Sequence, residues 1–420
     1  MDEIHRRLSC AIAESCIAYD RARVLLHNCS EATARNVLWT GCDIARVPSR
    51  SRMRSKPEVT VGLSISLTGR FRPQGRQALQ GIRLWQSYIN AHGGIAVQNG
   101  AKRSVRLIWY DDHSQIAAAR TNVLKLLRVD QVDILLGPYS SSLTMAVAET
   151  AEEHKKVLWN HGGSSDEIFR HGWRFLVGVA SPASDYLRAL PHWLAQDHAA
   201  LTRICVLYAG GGTFGWHVAR GVLEGALTVA HHSVHLVPVN VSWENHDTML
   251  GVLSSIAPEV VVLAGSLQDE LSIMQTRHRW PNTVRAVAAV AAGVRAFSVE
   301  LRGTADGVFG PSQWEPGVTF PDIVGPTSDW FCESFQRQFA DTPDYIAAGS
   351  FATGLIVTKC IRRCASLDDR ELRNAACELD CNTFYGRFRI DSRTGMQTGH
   401  RVLLVRWRKG SKVVLSPSFK

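Results

Sequence analysis

From Val59 onward, short apolar runs alternate with longer stretches in which apolar residues recur every three or four positions. Those two periods predict strand and helix in turn. Residues 59–65 read as a strand. In the helix after it, Ala78, Ile82, Trp85 and Ile89 are spaced to form one apolar stripe. Gly81 is expected to let that helix approach a sheet, and Gly93-Gly94 to stop it. Residues 105–110 form the next strand, closed by Asp111-Asp112, and residues 116–127 the next helix, with Ile116, Ala119, Val123 and Leu126 or Leu127 inward. Residues 132–136 are almost continuously apolar, as a parallel strand covered on both faces requires. Gly137-Pro138 ends that strand, Ser140, Ser141 and Ser142 follow, and a helix runs to about His154. A fourth strand, 157–159, leads into the loop from Asn160 to Ser165.

The same rhythm restarts near Ser181. A helix is expected over 182–196, a strand over 203–208, a glycine turn over 210–215 and a helix over 216–230. Strands follow at 234–239, 260–264 and 284–289, with helices at 247–256 and 267–279. Regular alternation of this kind predicts the α/β class, with parallel sheets covered by helices on both faces. In open α/β sheets ligands sit at the carboxyl ends of the strands. The loops rich in glycine and serine all lie at those ends.

A chain of 420 residues exceeds one simple core and implies two or three domains. No apolar run reaches the roughly 18 residues that a membrane helix needs. The net charge of +9 is uneven: residues 1–57 hold 10 Lys+Arg against 6 Asp+Glu. Arg46, Arg50, Arg52, Arg54 and Lys56 form an acid-free run there. With no aromatic residues or groove-reading motif beside it, the run reads as a flexible basic linker, and no nucleic-acid partner is expected. Residues 1–57 are accordingly expected to be an N-terminal extension. They carry a weak helical pattern from Ile4 to Leu26, and acids and arginines interrupt every candidate for an export signal. Four of the ten cysteines, Cys10, Cys16, Cys29 and Cys42, lie in this extension. Cys360 with Cys364, and Cys377 with Cys381, form i,i+4 pairs. Their amphipathic surroundings favour semi-buried thiols over a metal site.

The residues after Gly137-Pro138 carry the main chemical candidate. Free N–H groups and the positive end of a helix attract anions, and serine hydroxyls add donors. Two readings stand side by side: a carboxylate or phosphate cradle, or a plain N-cap serine with solvated neighbours. The turn Gly210-Gly211-Gly212-Thr213-Phe214-Gly215 follows a strand and opens a helix, as in dinucleotide sites. Those sites need an acid at the end of the next strand, about 20 residues on, and here that strand ends in Asn240. A Walker loop and a Gly-x-Ser-x-Gly elbow are both absent. Asp111 and Asp112 are adjacent, so on a strand they point to opposite faces and suit a strand-end cap better than an acid/base pair. His231, His232 and His235 lack ligand partners at useful spacing. No catalytic residues, cofactor or metal are therefore expected, and the protein is read as a non-enzyme.

Several stretches together resemble the leucine/isoleucine/valine-binding protein family, type I periplasmic binding proteins that serve ABC transporters. They are Ile65 to Gly69 with Gly75, Ile89 to Ile95, Tyr110-Asp111-Asp112, Gly137 to Ser142, Asp344-Tyr345, and Phe384 to Asp391 with Gly395. The likeness runs from about Val59 to the end. It implies two doubly wound lobes joined by a three-crossover hinge, with ligand trapped between them. Lobe one would comprise 58–180 plus 311–385, and lobe two 181–310 plus 386–420. By the resemblance, Ser141 with its neighbour Ser140 binds a ligand carboxylate, Gly162 and Ser164 assist, and Phe214 covers the ligand from lobe two. The full ligand-binding set implied is Phe71, Gln74, Tyr139, Ser140, Ser141, Gly162, Ser164, Ser181, Phe214 and Gly265.

Amino-acid binders of this family hold the ligand ammonium with acids and a tyrosine in lobe two. The matching stretches here, Ala264-Gly265-Ser266 and Val287 to Gly293, contain no acid. A buried ammonium would cost several kcal/mol unless Asp269, Glu270 or water reaches it. The expected ligand is an amino acid, an amide, a urea-like molecule or a carboxylate, as for a branched-chain amino acid/amide-type transporter, with the missing acids favouring the less cationic of these. The expected role is a solute receptor that closes on its ligand and is read by a transporter permease. By resemblance the receptor is periplasmic, with no export signal visible. The alternatives are a cytoplasmic amide sensor acting on a regulatory partner and, third, a nucleotide-dependent α/β enzyme.

Overall fold

The structure is a computed structural model that describes residues 58–229, 231–239 and 246–415. The expectations for the N-terminal extension, its helical pattern, its basic run and its four cysteines lie outside the described residues. The first lobe is built from β1 (Glu58–Ile65), α1 (Arg72–Ala91), β2 (Ile95–Ala96), β3 (Lys102–Asp111), α2 (Ile116–Arg128), β4 (Ile134–Leu136), α3 (Ser141–Glu153), β5 (Leu158–Asn160) and β6 (Leu176–Gly178). Its sheet runs in the order β2-β3-β1-β4-β5-β6, and only β2 is antiparallel to its neighbour. All three residues of β4 are buried, the consequence of helices on both faces.

The chain then crosses to the second lobe: α4 (Leu190–Asp197), β7 (Arg203–Ala209), α5 (Thr213–Leu227), β8 (Ser233–Val239), α6 (His246–Ile256), β9 (Val260–Ala264), α7 (Leu267–Gln275), β10 (Ala286–Ala289), α8 (Arg295–Glu300) and β11 (Phe309–Ser312). The helix expected over 182–196 is shorter than its pattern. A single 3-10 turn covers Ala183–Asp185, and α-helix begins only at Leu190. Pro191 sits in the first turn, where its missing N–H costs nothing; further inside, it would break the ladder.

A second crossing returns to lobe one for α9 (Ser328–Phe339), α10 (Tyr345–Cys364), α11 (Asp369–Cys377), β12 (Cys381–Thr383) and β13 (Gly386–Phe388). A third reaches β14 (Leu403–Arg408) and β15 (Ser411–Val414), which complete the lobe-two sheet in the order β15-β14-β11-β10-β9-β7-β8. The crossings fall at different residues from those expected. Pro311 and Ser312 pair with Leu404 and Leu403 inside the second sheet. Phe388 and Ile390 are buried in the core of the first lobe, because β13 pairs with β12 instead of joining the second sheet.

Helix α10 is buried on every side from Tyr345 to Thr358. It packs on α1 with almost no side chain between the backbones. A Cβ at Gly81 would lie 2.2 Å from the Ala347 carbonyl oxygen, and one at Gly354 would lie 2.2 Å from the Trp85 ring. Gly81 thus serves a helix–helix contact and not the helix–sheet contact expected from the sequence. Trp85 fills the space and donates Nε1–H to Thr358 Oγ1 at 3.2 Å. Around α10, Phe331 stacks on Phe384 at 4.7 Å and meets Phe351 edge-on at 5.3 Å. Each fully buried aromatic of this kind contributes about 1.5–3 kcal/mol. This core fixes the start of α10, and with it the buried Tyr345.

Candidate ligand-binding cleft

A cavity of about 850 Å³ lies between the carboxyl ends of the two parallel sheets. Lobe one supplies the loops after β1, β4 and β5; lobe two supplies those after β7, β9 and β10. The β1 loop is pinned by the two acids at the end of β3. Asp111 Oδ1 accepts the Leu67 amide at 2.9 Å, and Asp112 Oδ1 accepts the Ser66 hydroxyl at 2.5 Å and the Ser114 amide at 2.9 Å. Both carboxylates are spent as loop ties, which is the strand-end role.

At the start of α3, Ser140 is the N-cap, its Oγ accepting from the Leu143 amide at 3.3 Å. Its backbone has φ +88° and ψ 148°, a region almost reserved for glycine. The strand-like pairing of Tyr139 with Gly162 and the bond from the Ser140 amide to the Gly162 carbonyl, 3.2 Å, hold it there. Only glycine fits at 162, where a Cβ would lie 2.7 Å from the Pro138 carbonyl oxygen. Asn160 folds that loop, its Oδ1 accepting from the Gly163 amide at 2.8 Å and its Nδ2 donating to the Gly163 carbonyl at 2.7 Å.

Ser141 Oγ accepts from two backbone amides, Ser164 at 3.3 Å and Ser165 at 3.0 Å. A hydroxyl has two acceptor positions and one proton. With both acceptor positions filled, the Ser141 O–H is left as a donor. It stands at the N-terminus of α3, beside the positive end of the helix dipole. That wall of the cavity presents a hydrogen-bond donor.

Ser164 lies deeper, its hydroxyl 2.7 Å from the Tyr186 hydroxyl. Tyr186 Oη accepts Gln313 Nε2 at 2.8 Å, and Gln313 Oε1 accepts the Ser181 amide at 2.7 Å and the Tyr385 hydroxyl at 3.1 Å. Gln313, on the second crossing, therefore joins both lobes. Ser181 is a correction to the expected set: it is fully buried outside the cavity wall, its hydroxyl 2.8 Å from His400 Nδ1. It belongs to the crossings. The other nine expected residues, Phe71, Gln74, Tyr139, Ser140, Ser141, Gly162, Ser164, Phe214 and Gly265, all line the cavity. Phe71 meets Tyr139 edge-on at 5.9 Å, and Phe214 meets Tyr186 edge-on at 5.6 Å.

The acids of lobe two are occupied. Glu270 is fully buried and ties two loops together, accepting the Gly265 amide at 2.8 Å and the Ala291 amide at 2.7 Å. Burial pushes its pKa well above the usual carboxylate range. Asp269 closes a capping box with Ser266, the hydroxyl bond being 2.6 Å, and faces Arg70 of lobe one at 3.6 Å. Gln74 Oε1, in contrast, is buried without a hydrogen-bond partner among the described residues. His161 lines the same wall, and burial lowers its pKa to about 4, so the ring is neutral.

His161, Tyr186, Gln313 and Tyr345 line the cavity but escaped the sequence reading. Tyr186 and Gln313 lie on the crossings, which leave no periodic signal, Tyr345 opens α10, and His161 stands beside Gly162 in the loop after β5. Elsewhere, Gly215 in the Gly210–Gly215 turn serves packing, since a Cβ there would lie 2.6 Å from the Ala264 carbonyl oxygen. Among the described residues no group of three or more His, Cys, Asp or Glu side chains is placed to hold a metal, and all six described cysteines are free. No described helix is long and apolar enough to cross a membrane.

Two α/β lobes facing each other across a cleft, with three chain crossings at its base, define a bilobal ligand-binding protein. The chain belongs to the periplasmic binding protein family, whose sequence profile matches residues 58–412. Solved structures share its fold at low identity. A leucine-binding protein from Thermotoga maritima has 16% identity and a TM-score of 0.73, the match covering 85% of this chain and 98% of that one. A branched-chain amino acid transporter substrate-binding protein from Streptococcus pneumoniae, in complex with isoleucine, has 15% identity and a TM-score of 0.71, covering 86% and 100%. An ABC transporter solute-binding protein from R. palustris, in complex with benzoate, has 16% identity and a TM-score of 0.70, covering 85% and 95%.

Proposed function

We propose that the protein is the solute receptor of an ABC transporter, working in the periplasm with a membrane permease as its partner. Its ligand is a small molecule with a carboxylate or carbonyl at one end and no ammonium. The observation that carries this reading is the Ser141 hydroxyl. Its acceptor positions are filled by the Ser164 and Ser165 amides, so it offers its proton to the ligand from the N-terminus of a helix. Opposite it, both Glu270 oxygens accept backbone amides and Asp269 is held by Ser266 and Arg70, so lobe two offers a buried ammonium no uncommitted carboxylate. Phe71, Tyr139 and Phe214 supply apolar walls, and Gln74 Oε1 accepts an N–H or O–H from the far end of the ligand. The fold is shared by proteins bound to isoleucine and to benzoate, and this cleft favours the second kind of chemistry.

Matched pairs test the reading by thermal shift: an α-amino acid against its 2-oxo acid, and aromatic carboxylates against aromatic amines. A ligand at 100 times its Kd stabilises by about 2.7 kcal/mol. The deaminated acids and amides are expected to raise the melting temperature and the zwitterions are not. An amino acid that binds more tightly than its deaminated analogue would sink the proposal.

A further inference from the structure

At the opposite end of the second lobe, where its parallel strands begin, there is a second cavity of about 590 Å³. The sheet register builds it. The Glu259 amide donates to the Arg203 carbonyl at 2.9 Å, and the Arg285 amide donates to the Glu259 carbonyl at 2.8 Å. Arg203, Glu259 and Arg285 are thereby set in a row across the entries of β7, β9 and β10. Phe309 opens the neighbouring strand and is paired with Arg406 of β14. Arg203, Arg285 and Arg406 all line the cavity, with Phe309 in its wall.

The charges there do not balance. The one carboxylate, Glu259, is committed: it accepts the Thr202 and Arg203 amides at 2.8 and 3.0 Å and pairs with the Arg203 guanidinium at 3.2 Å. Among the described residues, neither Arg285 nor Arg406 has a carboxylate within ion-pair distance. Arg406 is held in place instead. Its Nε donates to the Gly307 carbonyl at 3.2 Å, and its guanidinium lies 4.8 Å over the Phe309 ring. That leaves its two terminal nitrogens as donors in a fixed plane, the geometry that matches a tetrahedral oxyanion. The Thr283 hydroxyl, in the same wall, is buried without a hydrogen-bond partner and adds a neutral donor.

We infer that this cavity is a second anion site, on the far side of lobe two from the ligand cleft, and that it takes a phosphate group. Arg406 and Arg285 bind its oxygens, and Thr283 donates to a third. The phosphate belongs either to a free phosphoanion or to a phospholipid headgroup, and two probes separate these sources. Inorganic pyrophosphate is titrated calorimetrically into the full chain at constant ionic strength. Co-sedimentation is then compared on phosphatidylglycerol and phosphatidylcholine vesicles. The expected result is saturable one-to-one binding of pyrophosphate, or capture by the phosphatidylglycerol vesicles only. Either is to weaken about tenfold to a hundredfold in Arg406→Ala and to fade as salt rises. Because Arg406 also packs on Phe309, Arg285→Ala at the exposed rim is the companion variant, expected to weaken binding while leaving the melting temperature unchanged. Binding of neither probe, or equal binding by wild type and Arg285→Ala, would overturn the site.

Discussion

Ser140 holds backbone strain at the head of α3, and that strain is measurable by comparing two substitutions. Its φ of +88° with ψ 148° costs any residue with a Cβ about 1–3 kcal/mol. Ser140→Ala keeps that strain and removes the cap to the Leu143 amide, a loss of about 0.5–2 kcal/mol. Ser140→Gly loses only a few tenths of a kcal/mol of capping and is released from the strain. Against this, the more flexible unfolded chain costs roughly 0.4–1 kcal/mol. The balance makes the glycine variant about 1–3 kcal/mol more stable than the alanine variant. Without the strain, glycine's better capping and its more flexible unfolded chain nearly cancel, leaving the two variants within about 1 kcal/mol of each other, so the size of the gap decides. Urea denaturation at constant m reads the difference directly from the midpoints. An alanine variant equal to or more stable than the glycine variant would refute the account of how the loops after β4 and β5 lock together.

Three further outcomes are expected. Ser141→Ala unties the Ser164 and Ser165 amides and removes a donor to the ligand; calorimetry should show about a tenfold or greater rise in Kd, and unchanged affinity would remove the acceptor-binding wall. Gly81→Ala forces α1 away from the Ala347 carbonyl and should cost about 1–3 kcal/mol in chemical denaturation while leaving ligand affinity alone. Burial lowers His161 and His400 to about 4, so the unfolded chain takes up these protons first as the pH falls. The stability due to their neutral forms is complete above about pH 6.5 and is lost toward pH 4. Asp344, raised by burial to about 6, binds its proton more readily when folded and works in the opposite direction. Its contribution is common to wild type and to a His161→Gln/His400→Gln pair, so the variant's melting temperature should fall less steeply between pH 6.5 and 4.5. Parallel curves would show that neither ring is held neutral by the fold.

What the sequence revealed was governed by period and by glycine. The strands 132–136 and 260–264 and the stripe on α1 were legible because burial on a sheet or helix face imposes a spacing. The loops at the strand ends were legible because close backbone approach, as at Gly162, demands glycine. Partners were harder to read. Gly81 announced a close contact, but only the tertiary structure shows that it meets α10 and not a sheet. Ser181 looked like its neighbours in the serine-rich loops; its place under His400 follows from a segment more than two hundred residues later. Tyr186 and Gln313 reach the cleft through the crossings, where no repeating pattern marks a residue as inward, and Tyr345 reaches it from the first turn of α10. The helix expected from 182 overran because periodicity continued where Pro191 dictates a start.

The edge of the second sheet carries a consequence for how the chain is made. β11 leaves the ribosome with one of its two flanking strands, β10, already present; the other, β14, follows about 90 residues later. Between them the chain returns to the first lobe to lay down α9, α10 and α11. At roughly 5–20 residues per second of synthesis, the hydrogen-bonding edge of Phe309–Ser312 waits about 5–20 seconds for its partner. Through that interval lobe two is an open sheet with a buried-type strand at its border, the arrangement most prone to pairing with another chain. The last dozen described residues, β14 with β15 as its cover, are therefore the step that ends this exposure. Nascent chains stalled before Leu403 are where misassembly would first be seen.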